Sequence, residues 1–232
     1  MNTEPESRPP IFNLPGVIRV TAIVTILIHV RVLILSPLEN HEIFRYFSFI
    51  PARFSIPDIW QQEAFSLALS PLSYALLHAD AFHLLMNMFF MLAFGTAVAR
   101  RISWPVFALL YGTSAVAAAF FWMLFNGDAP IPLIGASGAL SGAAGALVRM
   151  SIAPRLAHDP RYPIMAPKTA IIFGLFWIGM NLILALLSID ISLGVGNIAW
   201  EAHIGGFLFG FAVGRMIDGW GLTETIAPPP GS

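Results

Sequence analysis

Residues 104–125 read WPVFALLYGTSAVAAAFFWMLF, an apolar run without Asp, Glu, Lys or Arg. A run of about 20 such residues is long enough to cross the hydrocarbon core of a bilayer as a helix. Working outward from it, further mostly apolar stretches of similar length occupy residues 17–35, 72–98, 133–150, 169–188 and 197–217. The pattern predicts an all-α membrane protein built as a bundle of six transmembrane helices.

The composition excludes several other classes of protein. Of the 232 residues, 57% are hydrophobic and 11% are charged, whereas about a quarter of a soluble domain is charged. Disordered chains are poor in apolar residues, so disorder is excluded as well. The net charge is −1 and the basic residues are scattered, which argues against a nucleic-acid-binding face. Cysteine is absent, which excludes disulfides and thiolate chemistry.

The charges predict how the chain crosses the membrane. With the N-terminus inside, nine Arg and Lys residues lie on the inner side and three on the outer side, which favours cytoplasmic termini in a multi-pass protein of the cell (inner) membrane. Residues 16–218 form the predicted core, between flexible tails at 1–15 and 219–232. The long connection 36–70 predicts an amphipathic structure in the interface. His29 and Arg31 are expected to reach water from the end of the first span.

Polar residues in the second, fourth and sixth spans need a reason, because unpaired polar groups are costly in lipid. His83 and Asn87 are four residues apart and share a helix face. Ser137 lies four residues into the fourth span, and His203 lies six residues into the sixth. With the N-terminus inside, all three spans enter from the outer face, so these groups come to a similar depth.

Glycine spacing predicts which helices touch. Gly206 and Gly210 form a G-x-x-x-G face, and the fourth span is rich in Gly and Ala, so these two spans are expected to pack closely. Ser137 and His203 would then come within hydrogen-bond reach, as a hydroxyl and the imidazole base that activates it. The Asn87 amide, the His83 ring and the Ser137 backbone N–H are candidate donors to an oxyanion.

Three sequence blocks carry a family resemblance: HADAFHLLMN at 78–87, GASG at 135–138 and AHIGG at 202–206. The ordered set resembles the rhomboid intramembrane serine proteases, whose pattern is H-x₄-H-x₃-N, G-x-S-x and A-H-x-x-G-x-x-x-G on spans two, four and six. The resemblance covers residues 16–218 and implies a six-helix rhomboid-like bundle. It also implies a serine endopeptidase that cuts transmembrane protein substrates near the outer membrane face.

The resemblance implies a role for each matching residue. Ser137 is the expected nucleophile, and His203 the general base and acid of a Ser–His dyad. His83, Asn87 and Gly135 correspond to the oxyanion and substrate-binding positions, and His78 is expected to support the loop that holds them. No cofactor and no metal are implied, and the expected partners are transmembrane substrates and the lipid bilayer. The oligomeric state is not indicated.

The chain departs from the family pattern at several positions. Ala99 stands where an acidic residue is common, and Glu201 where an aromatic or small residue is common. Ser141 stands where many members have an aromatic residue that packs on the base, so the orientation of His203 must come from elsewhere. Substrates of the family are expected to enter between spans two and five. Here the candidate lining of that gate is Phe176, Trp177 and Asn181.

Other interpretations stay open. Ser141 is a competing nucleophile one turn deeper, and Glu201 is a candidate third member of the site. The chain is alternatively an inactive rhomboid relative that binds transmembrane clients, although such proteins usually lack the serine or the histidine. A transporter normally shows internal repeats, which this sequence lacks. A metal site at His83 and His203, with Glu201 as a further candidate ligand, leaves the GASG block unexplained.

Overall fold

The computed structural model describes residues 14–153, 165–188 and 198–220, and these are helical almost throughout. The predicted tails at 1–15 and 219–232 lie almost entirely outside the described residues. The helices are α1 (Gly16–Leu33), α2 (Pro37–Phe47), α3 (Pro57–Ser73), α4 (Ala81–Phe90), α5 (Thr96–Ala99), α6 (Trp104–Phe125), α7 (Ser137–Ile152), α8 (Pro167–Ser188) and α9 (Trp200–Ile217). A π-helical turn, Met91–Gly95, joins α4 and α5 into one continuous helix.

The predicted all-α membrane fold is confirmed. Among the residues that the structure describes, three helices are long and apolar enough to cross a bilayer on their own: Gly16–Leu33, Ala81–Ala99 and Trp104–Phe125. Helices α7, α8 and α9 fall on the other three predicted spans, which is consistent with a bundle of six. Helix α7 is buried along nearly its whole length, because its many Gly and Ala residues let α6, α8 and α9 pack closely around it.

Helices α7 and α9 touch backbone to backbone, as their glycines predict. A Cβ atom added at Gly206 would lie 2.1 Å from the carbonyl oxygen of Gly138. At Gly210 it would lie 1.8 Å from the carbonyl oxygen of Gly142. Side chains therefore cannot be placed on this face of α9 without moving the helices apart. The predicted packing of the fourth and sixth spans is confirmed.

The predicted start of the second span, at residue 72, is wrong. Helix α3 continues to Ser73, and α4 begins only at Ala81. Asp80 sets this start, because its carboxylate accepts a 2.8 Å hydrogen bond from the backbone N–H of His83 and caps the helix. His83 consequently lies in the first turn of α4, close to the end of the helix rather than deep along a longer span.

The connection between α1 and α4 is a folded unit. Ser36 and Glu39 cap α2 with a reciprocal pair of hydrogen bonds. The guanidinium groups of Arg45 and Arg53 both bind Glu63 of α3. The hydrogen bond from Arg45 is the main cause that lowers the pKa of the Glu63 carboxyl below its ordinary value. This network ties α2 to α3.

One polar residue, His29, is placed differently from its expected position. His29 does not reach water: it is buried, and its ring lies edge-on to His78 with 6.5 Å between the ring centroids.

Near Ala99, the buried guanidinium of Arg101 donates to both carboxylate oxygens of Asp218, at 3.0 and 3.1 Å. This buried pair joins the end of α5 to the end of α9, and Ala99 itself packs against the apolar core.

The α7–α9 contact predicts a selective effect of adding one methyl group. Gly206→Ala should lower the free energy of unfolding by about 1–3 kcal/mol, because the new Cβ meets a backbone carbonyl that cannot rotate away. Gly179→Ala in α8 is the matched control, since nothing lies within 4 Å of its added Cβ. Thermal unfolding in detergent measures both. Equal melting temperatures for the two variants would contradict the contact.

Candidate active site

An extended segment before α7 positions Ser137. Leu133 and Phe49 exchange two backbone hydrogen bonds, of 2.8 and 3.2 Å, which fasten this segment to the connection after α2. The N–H of Gly135 then donates to the carbonyl of Tyr74 at 3.0 Å. These bonds hold the chain until α7 begins, with Ser137 as its first residue. Hydrogen bonds at Leu133 and at Gly135 therefore hold the segment immediately before Ser137.

Gly135 is needed at its position for two reasons. Its φ angle is +107°, in the region that favours glycine. In addition, a Cβ atom here would lie 2.6 Å from Nε2 of His83 and 3.8 Å from Oγ of Ser137. The imidazole of His83 therefore rests against the Gly135 backbone, beside the serine.

Ser137 and His203 are in direct contact. The Oγ atom of Ser137 lies 2.8 Å from Nε2 of His203, which is in the first turn of α9. Both residues are partly exposed, so the pair is accessible from outside the bundle. Ser141, the alternative nucleophile, is 0% exposed within α7, so its hydroxyl is not accessible. The geometry thus distinguishes the two serines that the sequence left as alternatives.

The other ring nitrogen of His203 has a partner that sequence reasoning assigned elsewhere. Nδ1 of His203 lies 2.7 Å from Oδ1 of Asn181 in α8. Asn181 is 0% exposed, so it faces the interior of the bundle and not a lipid-facing gate. Phe176 is exposed, whereas Trp177 is buried against the rings of Phe90 and Phe94. Asn181 interrupts an apolar run, the same signal that singled out the polar residues of spans two, four and six.

Several N–H groups surround the serine. The first N–H groups of a helix have no partner within it, so those of Ser137 and Gly138 are available donors at the positive end of α7. The His83 ring lies beside them. Asn87 is buried, and its amide nitrogen donates to the backbone carbonyl of His83 at 2.9 Å, which leaves its second N–H for another acceptor.

His78 and Glu201 lie at the edge of this arrangement. The His78 ring packs against His83, with 5.0 Å between the centroids, so it supports the residue that contacts Gly135. The carboxylate of Glu201 accepts a 3.2 Å hydrogen bond from the side chain of Asn126, the residue that follows α6. Within residues 14–153, 165–188 and 198–220, no three His, Asp or Glu side chains are placed to share a metal ion.

Comparison with known proteins identifies relatives of this chain. A family profile described as the rhomboid domain matches residues 68–218. Over 152 residues, 62% of this chain, the sequence is 32% identical to RHOMBOID-like protein 6, mitochondrial, of Arabidopsis thaliana. It is 25% identical over 176 residues to Rhomboid protein 1, mitochondrial, of Saccharomyces cerevisiae, and 30% identical over 136 residues to the rhomboid protease GluP of Bacillus subtilis.

These matches cover 72% of this chain for the yeast protein and 58% for GluP. The chain spans 43%, 45% and 23% of the lengths of the Arabidopsis, yeast and Bacillus proteins respectively, so it corresponds to less than half of each. The profile match covers more than half of the chain and includes the blocks at 78–87, 135–138 and 202–206. The chain is a member of the rhomboid family.

Proposed function

We propose that this protein is an intramembrane serine endopeptidase that cleaves transmembrane protein substrates by a Ser–His dyad. The 2.8 Å contact between Ser137 Oγ and His203 Nε2 carries the proposal. A hydroxyl is a weak nucleophile until a base accepts its proton, and a neutral imidazole within hydrogen-bond distance supplies that base. Membership of the rhomboid family and the resemblance of GluP, which is named a protease, support the same reaction class.

The proposed reaction has two stages. Ser137 Oγ attacks the carbonyl carbon of the scissile peptide while its proton passes to His203 Nε2. The carbonyl oxygen becomes an oxyanion, which accepts hydrogen bonds from the backbone N–H groups at the start of α7, together with His83 and Asn87. His203 then donates its proton to the leaving amine, and an acyl-enzyme remains on Ser137. Water, deprotonated by His203, hydrolyses the ester and restores the serine.

The position of the pair within the bundle suits a membrane-embedded substrate. Ser137 and His203 both lie in the first turn of their helices, and His83 lies in the first turn of α4. In the proposed orientation, with both termini cytoplasmic in the inner membrane, these helix starts face the outer side. A peptide bond can therefore be cut near the outer membrane face, where water for the second stage is available.

The principal alternative is an inactive rhomboid that binds transmembrane clients. Labelling by a serine-directed fluorophosphonate or isocoumarin probe separates the two, because only an activated serine reacts with such a probe. Comparative proteomics of membrane-anchored fragments, released by the wild type but not by Ser137→Ala, identifies the substrates. An unlabelled wild-type protein that still captures transmembrane segments would favour the alternative.

The two serines of α7 provide the sharpest test of the nucleophile. Ser137→Ala should lower the rate of cleavage of a model transmembrane substrate by at least about 10³-fold, because the attacking oxygen is lost. Ser141→Ala should keep activity, since its hydroxyl is completely buried one turn deeper. Both variants remove one oxygen from the same helix, so equal melting temperatures control for folding. Loss of activity in Ser141→Ala alone would overturn the assignment.

The role of Glu201 is tested by its pH–rate profile. Glu201 is two residues from His203, roughly 200° away around a helix, and its carboxylate binds Asn126 instead. Glu201→Gln should therefore leave the acidic limb of the kcat/KM profile within about half a pH unit of the wild type. A downward shift of a full unit would show that the carboxylate stabilises the protonated ring and acts as a third member of the site.

A further inference from the structure

We propose that Asn181 is a positioning residue for His203: its side-chain amide fixes the tautomer in which Nε2 is free to accept the proton of Ser137. This inference deepens the proposed function and rests on it. The juxtaposition that carries it is a continuous chain of hydrogen bonds from the Trp177 backbone, through Asn181 and His203, to Ser137.

The orientation of the amide follows from its first partner. Nδ2 of Asn181 lies 2.8 Å from the backbone carbonyl oxygen of Trp177, one turn earlier in α8. A carbonyl oxygen only accepts hydrogen bonds, so it must face the NH₂ group of the amide and not its oxygen. Reversal of the amide would bring two acceptors together in a fully buried position. The oxygen Oδ1 consequently faces the imidazole.

The orientation of the amide in turn fixes the proton on the ring. Oδ1 of Asn181 only accepts, and it lies 2.7 Å from Nδ1 of His203, so Nδ1 must carry a proton. A neutral imidazole has one N–H, which leaves Nε2 as the acceptor. The Ser137 hydroxyl, 2.8 Å away, then donates to Nε2. This is the arrangement that a serine nucleophile requires of its base.

Burial makes the amide the effective partner of Nδ1. Asn181 is 0% exposed, so water does not compete at this contact. The position one turn after the nucleophile holds Ser141 and not an aromatic ring, so α7 offers no ring there to pack on the imidazole. Glu201 binds Asn126 and His83 rests against Gly135. The contact from α8 therefore supplies the orientation that the sequence of α7 does not.

Two substitutions of similar volume separate positioning from packing. Asn181→Leu removes both hydrogen bonds and should lower kcat by about 10- to 100-fold, the range expected for one buried hydrogen bond, with KM changed less than about twofold. Asn181→Asp keeps an oxygen facing Nδ1 and should retain kcat within about tenfold of the wild type. Ser151→Ala is the control for loss of a buried hydrogen bond, because its side chain also donates to a carbonyl one turn back, at the far end of α7 from Ser137. It should leave kcat unchanged.

A spectroscopic measurement tests the tautomer without relying on activity. In the ¹⁵N-histidine spectrum of the detergent-solubilised protein, the signals lost in His203→Gln identify the ring. In the wild type they should report a protonated Nδ1 and an unprotonated Nε2, and in Asn181→Leu a mixture of tautomers. Unchanged ring signals and wild-type kcat in Asn181→Leu would overturn the inference. A wild-type protein that has the expected tautomer but cleaves nothing would refute the proposed protease function instead.

Discussion

The direct backbone contact between α7 and α9 is the constraint on which the rest of the site depends. In lipid, helices gain little from burying apolar side chains, and close packing of small residues is the main attraction between them. Gly206 and Gly210 remove the atoms that would separate the two helices. Ser137 and His203 lie in the first turns of these same helices, so the distance between Oγ and Nε2 is set by how closely the helices approach. A displacement of about 1 Å would be enough to disable such a pair.

The second constraint is that the polar residues gather at helix starts. Backbone that is not helical is tolerated at membrane depth only where its hydrogen bonds are satisfied within the protein. In the segment before α7, backbone groups are hydrogen-bonded to the backbones of Phe49 and Tyr74. At the start of α4, the Asp80 carboxylate accepts a hydrogen bond from a backbone N–H. Because α7 begins at Ser137, its first backbone N–H groups have no partner within the helix. In a continuous helix the same groups would be hydrogen-bonded to the preceding turn. The requirement of the bilayer and the requirement of the proposed chemistry are met by the same bonds.

Much of the fold was predictable because it follows from composition and spacing. The third predicted span coincides with Trp104–Phe125, and the glycine pattern predicted the contact of α7 with α9. The start of the second span was not predictable, because the residues before His78 are also apolar. Their pattern does not indicate that the helix begins only after Asp80. The burial of His29 was also missed, since its contact with His78 depends on the tertiary arrangement of two separate segments.

Asn181 shows why the site was only partly predictable. The local sequence of α8 does not determine how that helix is rotated, and its partner His203 lies 22 residues further along the chain. Its polarity within an apolar run was a usable signal, but that signal alone does not distinguish a gate residue from a buried one.

The chemistry of the site favours an amide over a carboxylate at position 181. A carboxylate buried in a membrane helix is costly and would favour the protonated form of the neighbouring imidazole, which cannot accept a proton from serine. An amide orients the ring without adding charge. Its second bond, to the Trp177 carbonyl, leaves it no alternative orientation. Hydrogen bonds in such a chain polarise one another in a medium of low dielectric constant. The chain of hydrogen bonds from Trp177 ends at the Ser137 oxygen. In the proposed reaction, the orientation that Asn181 imposes on the ring therefore acts on the oxygen that attacks the substrate.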